Sequence, residues 1–287
     1  MEINVKKASG ELSSYSEDKL RTSLLRAGAD EGLIEKIVET MRQHLYEGIP
    51  TKKIYRLAFN ELKKNTRPVA ARYKLKRAIM ELGPSGFPFE RYVAEILKLQ
   101  GYSVLVGQLV KGKCVTHEVD VIAELAQSHF MIECKYHNLQ GTACDVKIPL
   151  YVQARFKDVE SAWKAQPTHA TKFHQGWVVT NTRFTGDAIQ YGTCAGLNLL
   201  GWNYPAKGNL KDLIDKSGLY PVTSLTTLSK FEKQQLLQRH IVLCRDLCTD
   251  NTPLREIGLR EDRIKRVMEE ATVLCTKITF LSNRFLV

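Results

Sequence analysis

The spacing of apolar residues changes twice along this chain, and this change limits what the chain can fold into. Up to about residue 82, apolar side chains recur at helical intervals, as in Leu33, Ile37 and Met41. Residues 103–135 instead contain three short strand-like runs separated by turns. From Gly218 onward the spacing is helical again. Because a helical period and a strand period cannot share one element, the sequence predicts two helical regions that flank an α/β region.

Length and composition narrow the class of protein. The 287 residues suffice for about two domains at ~150 residues each. An apolar fraction of 44% and a charged fraction of 25% are typical of globular proteins and exclude disordered and fibrous classes. We find no apolar run of membrane-spanning length and no signal-peptide core, so we expect no membrane partner. Seven cysteines without framework spacing indicate reduced thiols, which predicts a cytoplasmic protein.

Glycine and proline mark the boundaries between these regions. The segment Gly83–Pro88 is the strongest linker signal in the chain. We therefore predict a mainly helical N-terminal domain over residues 1–84, an α/β domain over residues 87–215 and a helical C-terminal region over residues 217–287.

The first region is expected to open with a short strand, Ile3–Lys6, followed by four helices. Ser16 is a suitable N-cap for the first helix, and Thr51 is the predicted cap of the third. The fourth helix is expected to run from Pro68 to Leu82. In the C-terminal region, residues 225–248 read as one long helix, and residues 253–278 as a short helix, a glycine turn and a second helix.

The middle region alternates helices and strands in the order α-β-β-β-α-β-α-β, which predicts an α/β fold with a mixed sheet. The predicted elements are a helix from Phe89 to Gly101, the strands Ser103–Val110, Val115–Ala123 and His129–Lys135, a helix over Asp145–Trp163, a strand over Gly176–Thr180, a helix over Thr185–Ala195 and a last strand over Leu197–Gly201.

Acidic and basic side chains converge on two neighbouring strands of this region. Glu133 and Lys135 emerge on one face of their strand, because side chains alternate along a strand. Asp120 on the preceding strand can come within a few ångströms of both.

Two carboxylates are hard oxygen ligands that suit Mg²⁺ or Mn²⁺. A lysine beside the metal can orient or deprotonate a water and stabilise charge on a phosphate. An isolated Glu-X-Lys is more often a surface ion pair, but the apolar neighbours of this strand favour a phosphodiester-hydrolysing site.

This arrangement resembles the PD-(D/E)XK nuclease superfamily and, within it, the Mrr-like restriction endonucleases. The resemblance rests on Glu90 in the first helix, Asp120, and Glu133-Cys134-Lys135, and it covers roughly residues 87–215. It implies a restriction-endonuclease-like core of αβββαβ order. It also implies that Asp120 and Glu133 bind the metal, that Lys135 serves the attacking water, and that Glu90 and Gln153 complete the catalytic site. The departure from the family pattern is Glu118-Val119-Asp120 in place of Pro-Asp.

The N-terminal region resembles the ATP-cone, a nucleotide-sensing module. The likeness is carried by Val5-Lys6-Lys7, Gly10-Glu11, Tyr15, Lys19-Leu20, Thr51 and Ala71-Arg72-Tyr73. It implies that ATP or dATP binds under a short hairpin as an effector. Lys6, Lys7 and Lys19 would meet its phosphates, and Thr51 and Arg72 would complete the nucleotide site. Alternatives are a solvated basic helix face or lysines that contact DNA phosphates directly.

The net charge of +11 is compatible with a phosphate polyanion as partner, although charge alone decides nothing. In the C-terminal region, the glycine turn at Gly258 and the nearby arginines resemble a helix-hairpin-helix; a packed helical cap on the nuclease domain is equally consistent.

The sequence therefore favours a Mg²⁺-dependent DNA endonuclease of restriction type, modulated by ATP or dATP and expected to be a homo-oligomer. Alternatives are a nucleotide-responsive DNA-binding regulator with an inactive nuclease-like domain, and a structure-selective nuclease such as a junction resolvase.

Overall fold

The computed structural model describes residues 3–139 and 141–276, which form two compact units. One unit, here called the helical unit, joins the residues up to Ile79 with those from Gly218 onward. The other, here called the sheet unit, comprises residues 80–217. Segments distant in sequence therefore share one unit, while the middle of the chain forms the other.

The helical unit opens with a small sheet. Strand β1 (Asn4–Lys6) pairs antiparallel with β2 (Leu12–Ser14) and parallel with β3 (Ile49–Pro50). The sequence predicted only the first of these strands. The other two are three and two residues long, too short to show an alternating apolar pattern.

Five helices follow, interrupted only by β3: α1 (Glu17–Arg26), α2 (Glu31–His44), α3 (Thr51–Asn65), α4 (Arg67–Tyr73) and α5 (Leu75–Met80). Ser16 caps α1 as predicted, since its Oγ accepts the amide of Lys19 at 3.2 Å. The predicted capping role of Thr51 is wrong, because α3 begins at Thr51 itself and Pro50 precedes it without a side-chain cap. The predicted fourth helix is divided at Lys74, whose ψ of −7° departs from helical geometry.

The sheet unit contains the eight predicted elements in the predicted order, together with three elements that the sequence did not predict, two two-residue strands and a last helix. In chain order, the elements are α6 (Phe87–Leu99), β4 (Ser103–Lys111), β5 (Thr116–Leu125), β6 (Ser128–Lys135), β7 (Ala143–Cys144), α7 (Lys147–Lys164), β8 (Phe173–Thr180), β9 (Arg183–Phe184), α8 (Gly186–Cys194), β10 (Asn198–Leu200) and α9 (Leu210–Ser217). The five-stranded sheet has the order β10-β8-β6-β5-β4. Its pairs are antiparallel from β4 to β6 and parallel from β6 to β10. The predicted mixed sheet with an αβββαβ core is confirmed.

Helix α7 packs on one face of this sheet through apolar side chains. Phe156, Val159 and Trp163 form a core cluster with Met131 of β6 and Val119 of β5. Burying such side chains removes about 25 cal/mol of unfavourable hydration per Å² of apolar surface. This contact therefore fixes which residues of α7 face the ends of β5 and β6.

Asp158 ties the β4–β5 hairpin to α7. Its carboxylate accepts the backbone amides of Cys114 at 2.8 Å and Val115 at 3.2 Å, and the ring Nε2 of His117 lies 2.8 Å from it. A Cβ atom on Gly112 would clash with the Asp158 carboxylate and lie 2.7 Å from the carbonyl oxygen of Val115, so only glycine fits there. The hairpin that carries Asp120 is thus held directly by the helix.

The C-terminal segment contains α10 (Lys230–Gln238), α11 (Cys244–Thr249), α12 (Thr252–Glu256) and α13 (Glu261–Cys275). The predicted single helix over 225–248 is wrong. His240 adopts a φ of +62°, and Val242 accepts a backbone hydrogen bond from Val222, which breaks the helix. The predicted short helix, glycine turn and helix are confirmed up to residue 276; residues 277 and 278 lie outside the described residues.

This segment is hydrogen-bonded to the N-terminal helices. The ammonium of Lys74 donates to the carbonyl of Thr223 at 2.9 Å, and the Thr223 hydroxyl donates to the carbonyl of Ala78 at 2.7 Å. Arg72 donates to the carbonyl of Val273 at 2.9 Å. Over residues 3–139 and 141–276, none of the helices combines the length and apolar character that crossing a membrane requires.

We predict that Glu270→Ala destabilises the helical unit by about 3 kcal/mol. Glu270 is only 3% exposed and accepts the amides and hydroxyls of both Thr226 and Thr227 at 2.7–3.0 Å. Its removal leaves these partly buried donors without their acceptor. Chemical denaturation checks this, with Glu269→Ala on the exposed side of the same helix as control. Equal stability of the two variants would contradict the prediction.

Candidate active site

The site lies where β5 separates from β6. These strands pair from Val121 to Leu125 of β5, and the last pair toward the site is Val121 with Ile132. Beyond it, the Asp120 side chain replaces the backbone ladder, since its Oδ2 accepts the amide of Cys134 at 2.7 Å. The separation leaves a gap at the end of the sheet in which side chains from both strands meet.

Glu133 is the most buried acid of this gap, at 4% exposure. Its Oε1 lies 2.7 Å from the ammonium of Lys135, and its Oε2 accepts from Nη1 of Arg155 on α7. The second guanidinium nitrogen of Arg155 donates to the carbonyl of Glu118. Both carboxylate oxygens of Glu133 are therefore neutralised by cations.

The other acids of the gap repel one another. Burial, together with the charges of Asp120 and Glu118, raises the pKa of Glu90 on α6 to about 7. Burial and the charge of Glu133 raise the pKa of Asp120 to about 6, although its bond from the Cys134 amide opposes the shift. The structure thus brings Glu90, Asp120 and Glu133 within electrostatic reach.

Lys135 remains a cation in this environment. Burial alone would lower its pKa, but the hydrogen bond to Glu133 and the charge of Asp120 outweigh burial and raise the pKa above the usual lysine value. Lys135 also lies over the ring of Tyr151, with its nitrogen 5.9 Å from the ring centre. A protonated lysine here can donate to a water or to a phosphate oxygen.

The gap suits a hard divalent cation by its chemistry. Within residues 3–139 and 141–276, no three His, Cys, Asp or Glu side chains form a preformed metal site. Four carboxyl groups (Glu90, Glu118, Asp120 and Glu133) nevertheless interact here with two cationic side chains, Lys135 and Arg155. With all four ionised, an excess of two negative charges remains, and carboxylate oxygens are the ligands that Mg²⁺ prefers. Asp120 and Glu133 therefore fit the metal implied by the sequence.

The side-chain amide of Gln153 on α7 is hydrogen-bonded to another element of the sheet unit. Its amide nitrogen donates to the carbonyl of Ala195 at 3.3 Å, at the end of α8, and its described bonds do not reach the carboxylates. Arg155, two residues further along α7, reaches them instead. Sequence reasoning missed Arg155. The available signal was its helical spacing from Tyr151, whose ring lies 5.1 Å from the guanidinium carbon of Arg155.

Two of the residues expected at the nucleotide site lie next to each other. Lys6 on β1 pairs with Pro50 of β3, and Thr51 follows as the first residue of α3. The first turn of α3 has no acidic residue, and no side chain of its N-cap residue caps its amides. Free amides and the positive end of a helix dipole attract phosphate. The start of α3 beside Lys6 is thus suited to an anion.

The remaining expected nucleotide residues have other surroundings. Lys7 lies 3.2 Å from Glu11, Lys19 is exposed on the first turn of α1, and Arg72 donates to Val273. A surface cavity of about 640 Å³ lies at the other end of α3, and its lining includes none of these residues. It is lined by Thr40, His44, Leu57, Asn60, Glu61, Lys63, Lys64 and Arg67.

Family models match three consecutive parts of the chain. These are the ATP cone domain over residues 3–81, the restriction endonuclease domain of Mrr type over residues 83–201, and the AF1548-like C-terminal domain over residues 220–275.

A relative and a solved structure extend this match. The chain is 37% identical over 180 residues to an uncharacterized protein of Archaeoglobus fulgidus, which covers 62% of this chain and 97% of the relative. A crystal structure of a protein of unknown function, AF1548, superposes with a TM-score of 0.55 at 35% identity, covering 67% of this chain and 98% of that one. The chain therefore belongs to the AF1548-like family, with an ATP-cone domain ahead of its Mrr-type restriction endonuclease domain.

Proposed function

We propose that this protein is a divalent-metal-dependent DNA endonuclease of restriction type whose activity or assembly responds to ATP or dATP. The observation that carries the proposal is the meeting of Glu90, Asp120, Glu133 and Lys135 in the gap between β5 and β6. Raised pKa values in such a gap are typical of functional sites.

Each residue has a distinct role in this proposal. Asp120 and Glu133 hold Mg²⁺ or Mn²⁺, and Glu90 adds a third carboxyl group to the site. The bound cation supplies Lewis acidity for phosphodiester hydrolysis. Lys135, which stays protonated, orients the attacking water and neutralises charge that develops on the phosphate. Gln153 was expected to complete the site, and its role stays a prediction.

In this proposal, each of the three predicted regions has its own function. We propose that residues 1–84 bind the nucleotide, residues 87–215 cut DNA, and residues 217–287 support the nucleotide domain. The last role is suggested by the hydrogen bonds from Arg72 and Lys74 to the C-terminal segment. Lys6 and the amides at the start of α3 are the proposed phosphate contacts.

The charges in the gap favour an enzyme over a regulator that only binds DNA. Keeping Glu90 and Asp120 ionised near other acids is unfavourable, as their raised pKa values indicate. Carboxylates also repel DNA phosphates unless a cation lies between them. A protein that only binds DNA gains nothing from this arrangement.

We predict that Lys135→Ala lowers cleavage of supercoiled plasmid by about 10²–10³-fold, since one preorganised charge at the phosphate is lost. The assay uses Mg²⁺ or Mn²⁺, each with and without ATP or dATP. Lys157→Ala is the control, because Lys157 is on the same unit but pairs with Glu160 at 2.9 Å.

The same assay separates the alternatives. Equal cleavage by wild type and Lys135→Ala would show that the assigned site is wrong. Cleavage of branched but not linear DNA would favour a structure-selective nuclease, and no cleavage of unmodified, modified or branched DNA would favour a regulator. Gln153→Ala tests the remaining predicted site residue.

We predict that Glu90→Gln and Asp120→Asn raise the melting temperature by a few degrees at pH 8 and by less at pH 5. The pKa of Glu90 is raised to about 7 and that of Asp120 to about 6, so the native state resists their ionisation. Stability is therefore lost as the pH rises from the unfolded values near 4 through these native values. Amide replacements remove that loss.

Thermal melts at both pH values check this prediction. Glu95→Gln is the control, since Glu95 is on the same helix as Glu90 but pairs with Lys98 at 2.7 Å. Mg²⁺ or Mn²⁺ should stabilise the wild type by binding the native state, and Asp120→Asn should lose most of this gain. A control variant as stabilised as Glu90→Gln would contradict the electrostatic explanation.

We predict that Lys6→Glu weakens ATP and dATP binding by roughly tenfold or more, because one charge-assisted contact to phosphate becomes repulsive. Isothermal titration of both nucleotides into the full-length protein measures this effect. Lys36→Glu, at an exposed position of α2, carries the same charge change away from the start of α3. Equal losses of nucleotide affinity in the two variants would show that the effect comes from the overall charge and not from a contact of Lys6.

A further inference from the structure

Arg155 lies in the gap at a position from which its cationic side chain contacts acceptors on both strands. Its guanidinium donates to Oε2 of Glu133 on β6 and to the carbonyl of Glu118 on β5, and so spans the two strands where they separate. Its side chain is only 12% exposed. Its charge also acts on Asp120, the other proposed metal ligand. One side chain thus offsets the charge of both acids.

Each carboxylate oxygen of Glu133 already has a cationic partner. Lys135 lies 2.7 Å from Oε1, and Arg155 donates to Oε2. A divalent ion that takes Glu133 as a ligand competes with these two partners for the negative charge and lone pairs of the carboxylate. Both cations also lie near the ring of Tyr151, with the Lys135 nitrogen 5.9 Å and the Arg155 guanidinium carbon 5.1 Å from its centre. Lys135 has a proposed role at the attacking water, whereas Arg155, which reaches the site from α7, has none. Arg155 is therefore the partner that we expect to yield Glu133 to the metal while keeping its contact with Tyr151.

We propose that Arg155 takes the place of the divalent cation in the metal-free protein and competes with it for Glu133. The inference rests on the proposed function, since it needs a metal at Asp120 and Glu133. Arg155 neutralises the buried carboxylate, which would otherwise be an unpaired charge, and is released when the metal arrives. The residue thereby sets the metal concentration at which the site is filled.

Titration of Mn²⁺ into the full-length protein by isothermal calorimetry, without DNA, tests the competition. Arg155→Gln should tighten Mn²⁺ binding by roughly 10-fold to 100-fold, the range that corresponds to losing one competing charge-assisted hydrogen bond. Arg155→Lys keeps the positive charge, but a single ammonium group cannot donate to Glu133 and to the Glu118 carbonyl in the way that the two nitrogens of a guanidinium do. It should give an intermediate affinity. It also keeps the test valid if Arg155→Gln fails to fold.

Lys157→Gln removes one positive charge from the same helix, where Lys157 pairs with Glu160, and should leave Mn²⁺ affinity unchanged. Equal tightening by Lys157→Gln and Arg155→Gln would overturn the competition in favour of long-range charge. Unchanged or weaker binding by both Arg155 variants, with binding lost in Asp120→Asn, would overturn it but leave the metal-dependent nuclease in place. Absence of Mn²⁺ binding in the wild type and every variant would overturn both proposals.

Discussion

The hydrogen bond from the Cys134 amide to Asp120 is the interaction on which the site depends. An antiparallel ladder normally continues until a strand ends, but here a side chain takes over the amide that the next backbone pair would have used. This exchange lets β5 turn away from β6 without leaving a buried donor unsatisfied. The acids of the two strands then border one gap.

Helix α7 holds this gap open and also supplies a side chain to it. Its apolar face packs on Val119 and Met131, Asp158 fixes the tip of the β4–β5 hairpin, and Arg155 reaches Glu133. One helix therefore sets both the position of Asp120 and the charge around Glu133. Burial and the repulsion between acids, which together raise the pKa of Glu90 and Asp120, persist because these packing contacts compensate for them.

The helical unit is held together by a different set of contacts. Its N-terminal helices have their own apolar cluster, yet α4 and α5 also make buried polar contacts with the C-terminal segment through Lys74 and Thr223. Glu270 in turn fixes the residues that follow Thr223. We therefore regard the C-terminal segment as part of the structural support of the ATP-cone domain.

The sequence by itself determined the order of elements, the mixed sheet and the shared face of Glu133 and Lys135, because side-chain periodicity is a local property of the chain. Only the tertiary structure decided that β5 leaves β6 at Asp120, that α7 directs Arg155 toward the carboxylates, and that residues 225–248 do not form one helix. It also decided that both ends of the chain share one unit. These features depend on strand register, helix rotation and contacts between residues distant in sequence, which local spacing does not encode.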